Sequence, residues 1–154
     1  GIESGSQDVL NRYNKGISVE QNHQAIKTLN DLHILCHPGH ILFDPLTTRK
    51  ELEDTVSFFE PYLDYFFSFN DGFDSRLLFF PHGCEILKLY WPNQSEEFYD
   101  NICYNGIRFA FQNPEVESIY NKFVENLHDQ NKYKGSNLLK RRIYCLKEAL
   151  NEIR

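Results

Sequence analysis

"GIESGSQDVLNRYNKGIS", residues 1–18, decides how this chain is read. It puts an apolar residue and a carboxylate, Ile2 and Glu3, directly before Ser4, Gly5 and Ser6. From Ser6 onward Val9, Leu10 and Tyr13 recur at helical spacing, and Lys15-Gly16 is a helix stop. A strand end that delivers a carboxylate into a Gly/Ser loop opening a helix is where parallel α/β folds contact ligands. The sequence contains no Met, so residue 1 is expected not to be a native start: either the ends are trimmed or the chain is a piece of something longer.

Downstream, helices and strands alternate. Ser18 and Gln21 form a capping-box pair, and Val19, Ala25, Ile26, Leu29 and Leu32 give one apolar stripe. "HILCHPGHILFD" (33–44) reads as a strand bent at Pro38-Gly39. In "DPLTTRKELEDTVSFF" (44–59) Thr48 caps a helix with Glu51 at the box position, and Leu52, Val56 and Phe59 form its inner face. "RLLFFP" (76–81) reads as a second strand leading into His82-Gly83. This order is that of parallel βα units. "WPNQSEEFYDNICYNG" (91–106) is polar, aromatic and irregular, and reads as linker or insertion. Two helices close the chain. Asn113 caps the first, with Pro114 at its first position, and Ser136 is expected to cap the second.

The bulk numbers narrow the function classes. At 154 residues with 41% hydrophobic content the chain fits one domain with a real core. A formal charge of -6 argues against nucleic acid or an anionic membrane as partner. No apolar run approaches the roughly 20 residues of a membrane span. Cys36, Cys84, Cys103 and Cys145 are scattered with no C-x-x-C, which suits reduced thiols and a cytoplasmic setting better than a disulfide frame. His33, Cys36, His37 and His40 cluster in sequence. On a strand, however, His33 and His37 share one face while Cys36 and His40 share the other, so no metal site is assigned. "LLKRRIYCLK" (138–147) reads as the solvated side of an amphipathic helix.

Three stretches in register, "GIESGSQDVLNRYNKGISVEQNHQAIKTL", "HILFDPLTTRKELEDTVSFF" and "RLLFFPHGCEI", resemble the second half of a radical SAM core. They are most similar to the cobalamin-binding class, whose members carry a Phe-Asp-Pro turn. "FAFQNPEVESIYNKF" (109–123) resembles the segment that follows such a core. The resemblance implies an α/β fold, the C-terminal half of a partial (β/α)6 TIM-like barrel followed by C-terminal helices. Residues 1–91 would be the half-barrel from its fourth strand, 92–112 a linker or insertion, and 113–154 a helical segment. It also implies an enzyme that uses S-adenosylmethionine and a [4Fe-4S] cluster for 5′-deoxyadenosyl-radical chemistry, with cobalamin held by an absent upstream domain. The chain has no Cys-x-x-x-Cys-x-x-Cys. The cluster ligands are therefore expected in an upstream half of the same polypeptide, and the chain alone is expected to be inactive.

The resemblance also assigns residues. Glu3 would reach the ribose hydroxyls of S-adenosylmethionine, or else merely cap the following helix. Ser4 lies in the same loop. Lys15 would pair with the methionyl carboxylate, or else simply favour a helix C-terminus. Ile41 and Phe43 would flank the adenine or belong to the core. Pro81 and Gly83 would bring backbone to the adenine, with Cys84 where relatives commonly have Thr. No catalytic side chain is assigned, and the substrate, a small molecule or a peptide, is not specified. The competing expectation is a degenerate barrel half that acts only as an interaction module.

Overall fold

A computed structural model describes residues 2–66, 77–78, 86–105, 107–129, 132–133 and 136–153. It begins with α1 (Gln7–Arg12) and α2 (Val19–Asp31), followed by α3 (Arg49–Phe59) and a 3₁₀ turn (Glu60–Tyr62). After β1 (Leu77–Leu78) come α4 (Ile86–Tyr90), α5 (Glu96–Asn105) and β2 (Ile107–Arg108). The chain closes with α6 (Pro114–His128) and α7 (Leu138–Glu152).

The helix starts follow their caps. Ser18 and Gln21 close a full capping box on α2, and Thr48 and Glu51 close another on α3. Each box satisfies backbone donors that the first helical turn would leave open. Asn113 caps α6 with Pro114 in its first turn. The start of α7 differs from expectation, because Asn137, not Ser136, receives the Lys140 N–H. Asn137 also donates its amide to the carbonyls of Leu63 and Phe66, so the cap ties α7 to the turn after α3.

The first two helices end alike. Asn14 (φ 49°) and His33 (φ 54°) both adopt the left-handed conformation. The N–H of Lys15 reaches Leu10 O and that of Ile34 reaches Leu29 O, while Asn14 and His33 bond three residues back. These are Schellman ends built on Asn and His rather than on Gly. The stop of α1 therefore falls at Asn14, one residue before the expected Lys15-Gly16.

Ordered pairing between extended segments is sparse among the described residues. Glu3 forms an isolated parallel bridge with His40, its N–H donating to Gly39 O (2.8 Å) and its carbonyl accepting from Ile41 N (2.6 Å). A second parallel bridge joins Cys36 and Phe66. The expected strand 33–44 appears only as these contacts. Of the expected strand 76–81, Leu77 and Leu78 pair antiparallel with Ile107 and Arg108, and the rest lies outside the described residues. The segment read as irregular, 91–106, contains α5. The short α4 before it had no sequence counterpart.

The core gathers α3, α6 and α7. Phe59, Val116, Ile119, Phe123, Ile143, Leu146 and Ala149 are sealed from solvent there. Leu42 and Phe43 extend it from the 41–44 segment, and Ile26 is the apolar side chain that α2 buries in it. The α2 stripe is thus only partly used, since Ala25 and Leu32 are exposed. A satellite cluster of Ile86, Leu87, Tyr90 and Ile102 joins α4 to α5.

Candidate functional site

Glu3 has φ 55°, a left-handed conformation disfavoured for a residue with a Cβ. Both of its backbone groups are locked in the bridge to 39–41, which holds it there. Gly5 follows where the chain presses on α3. A Cβ at that position would lie 2.2 Å from Phe58 Cβ and 3.0 Å from the Asp54 carbonyl oxygen, so only Gly fits. The 2–6 segment is thereby pinned between the 39–41 segment and α3.

Lys15 meets Glu3. Its Nζ lies 3.2 Å from Glu3 Oε1, and the two side chains keep 31% and 25% of their surface exposed, enough for a solute to reach both. Ser4 is fully buried, and its hydroxyl accepts from Ser6 N at 3.0 Å, which shapes the loop before α1. Ile41 is half-buried beside Glu3 through the bridge. Phe43 points into the core, its ring edge-on to Phe111 and Tyr120 and tilted against Phe123. Pro81 and Gly83 lie outside the described residues. The structure therefore brings Glu3, Lys15 and Ile41 to one place, keeps Ser4 beside them but buried, and sends Phe43 to the core.

Behind this pair lies a network that the sequence reading missed. Arg12 donates from Nε to Asp44 Oδ2 (3.0 Å) and from its two terminal nitrogens to both oxygens of Glu51 (2.8 and 3.2 Å). The side chains are 12%, 1% and 4% exposed, so this is a buried, bidentate clamp. Glu51 accepts from Thr48 N with the same carboxylate, serving cap and clamp together. Asp44 also accepts from Leu46 N, which closes the Asp-Pro turn. Burial opposes the charge on Arg12, yet Glu51 and Asp44 outweigh it and hold the guanidinium pKa above its ordinary value. Tyr90 donates to the Tyr13 hydroxyl at 2.9 Å, and burial followed by nearby Asp44 raises both phenols well above their usual range. Separations of 32 to 77 residues hide these contacts from local patterns.

The clamp joins the two segments that lead to the pair. Asp44 stands four residues beyond His40, the partner of Glu3, while Arg12 stands three before Lys15. Glu3 and Lys15 are thus approached from two segments that the clamp ties together. No comparable metal centre is formed: among the described residues no three His, Cys, Asp or Glu side chains gather to hold an ion. His33 caps α2 and His40 is buried edge-on to Phe59. Cys145 is sealed in the core, and burial pushes its thiol up, which suits packing and not cluster ligation. No described helix is long and apolar enough to cross a membrane.

Comparison with known proteins finds a local similarity. The similarity is to 4'-phospho-dehydrooxetanocin synthase of Priestia megaterium, an enzyme to which this chain is 39% identical over 61 residues. The match covers 39% of the chain and 8% of the synthase's length. No family model and no solved structure matches the chain.

Proposed function

We propose that this chain contributes S-adenosylmethionine-binding elements to a radical SAM enzyme, as part of a (β/α) half-barrel. The observation that carries the reading is the partly exposed Glu3–Lys15 pair at the end of a parallel bridge, with two helices in the connection. A carboxylate can accept from the vicinal ribose hydroxyls, and an ammonium can pair with the methionyl carboxylate. Ile41, whose N–H bonds the Glu3 carbonyl, would offer apolar surface to the base. When bound, the cofactor would supply an adenosyl radical. The chain's own residues would only hold and orient it. The described cysteines do not fit the cluster, and no step is assigned to it here. Cobalamin use belongs to the proposal and rests on the resemblance alone.

Titration of the chain with S-adenosylmethionine tests the reading. Lys15→Met leaves Glu3 facing the ligand's carboxylate, and a charge-assisted contact is worth about 1.5–3 kcal/mol, so affinity should fall about tenfold or more. Lys27→Ala, on the exposed side of α2, should bind like the parent. Equal binding by all three proteins would remove the assignment.

The alternative, an interaction module, is favoured by the exposed Leu32, Ile34 and Leu35 at the end of α2. An inactive chain that ignores S-adenosylmethionine yet self-associates, with association lost in Leu35→Ser, would support it.

A further inference from the structure

The proposed ligand groups and the chain's own side chains compete for the same partners. Lys15 Nζ is within 3.2 Å of Glu3 Oε1, so the cation assigned to a ligand carboxylate already holds one from within the chain. Neither residue is free to retreat. Glu3 is fixed by two backbone hydrogen bonds in a left-handed conformation, and Lys15 follows directly on the left-handed Asn14 that ends α1. The side chains themselves can move, because both are partly exposed and the pair is a single contact on a flexible lysine stem.

We infer that the Glu3–Lys15 ion pair is the resting state of the binding site, and that a carboxylate-bearing nucleoside enters by ion exchange. Lys15 passes from Glu3 to the ligand carboxylate, and Glu3 turns to the ligand's hydroxyl donors. This rests on the reading of Glu3 and Lys15 given above and adds the regulation of that site. The exchange keeps either charge from standing alone in the empty site. It also discriminates, because a nucleoside without a carboxylate has nothing to offer Lys15 and leaves the pair closed. The partly exposed pair is weak and opens readily, so the ligand carboxylate, and not the strength of the pair, decides which contact Lys15 keeps.

The signature is the side-chain ammonium resonance of Lys15, followed by NMR in wild type and in Glu3→Gln. The probes are S-adenosylhomocysteine and its decarboxylated analogue. In the free proteins the Lys15 resonances should differ, because one has the pair and the other does not. At saturation with S-adenosylhomocysteine they should coincide, because Glu3 is no longer the partner. With the decarboxylated analogue the wild-type resonance should keep its free-state position. The variant sits on a partly exposed pair and should fold as the parent does.

A difference that persists undiminished in the S-adenosylhomocysteine complexes would overturn the exchange while leaving the binding site in place. So would loss of all binding in a folded Glu3→Gln protein, since the exchange predicts a Lys15 that is easier to reach. Failure of wild type to bind either probe would remove the binding reading itself, and the exchange with it.

Discussion

Single residues carry the account's sharpest tests. Replacing Arg12 by Met would leave Asp44 and Glu51 buried without their cation, and breaking a buried pair in this way typically costs about 3–5 kcal/mol. Urea denaturation should show that loss, with Arg12→Lys intermediate because it keeps the charge without the fork. Gly5→Ala drives a Cβ into Phe58 and should cost roughly 1–3 kcal/mol by the same measurement. Glu148 gives a pH test. Hydrogen bonds from Lys132, and next from Tyr133, hold its carboxyl below the ordinary carboxylate value. A depressed folded pKa contributes stability above the unfolded value of about 4.3, and that contribution is lost as pH falls through the folded pKa. The stability difference between wild type and Glu148→Gln should therefore shrink as pH drops from about 5 to 3. A difference constant across that range would show that the hydrogen bonds do not favour the charged form.

At the scale of elements, legibility followed the range of the signal. The caps of α2, α3 and α6 were readable because Ser18, Thr48 and Asn113 act within three residues of themselves. The α7 cap was misassigned by one position, because Asn137 owes its place partly to Leu63 and Phe66, far away in sequence. Asn137→Ala should cost about 1 kcal/mol, while Ser136→Ala should stay within about 0.5. Equal losses would contradict the cap. Helix α5 escaped notice because its aromatic and acidic residues mask the period, and its burial against α4 is tertiary. Arg49 shows the same limit: from the start of α3 it donates to the Leu150 and Ile153 carbonyls, 101 and 104 residues away, and closes the end of α7. Of the candidate site, Glu3 and Lys15 were legible as chemistry. Their contact with each other was not, because it depends on the distant 39–41 segment that holds Glu3 in its left-handed conformation.

In the molecule as a whole, a helical core of α3, α6 and α7 is joined to the short bridged segments that carry the Glu3–Lys15 pair. A half-barrel would present an unpaired strand edge beside Ile2, and such edges invite association. Sedimentation of the chain should accordingly show concentration-dependent association, and a monomer at all concentrations would speak against the half-barrel. The most direct test of the central claim is a map of backbone amide shifts as S-adenosylmethionine is titrated into the chain. Saturable shifts centred on Glu3, Lys15 and Ile41, with Lys27, Glu60 and Lys140 unmoved, are the predicted result. Absence of any saturable shift, or shifts confined to the cleft between α2 and Tyr62–Tyr65, would contradict it.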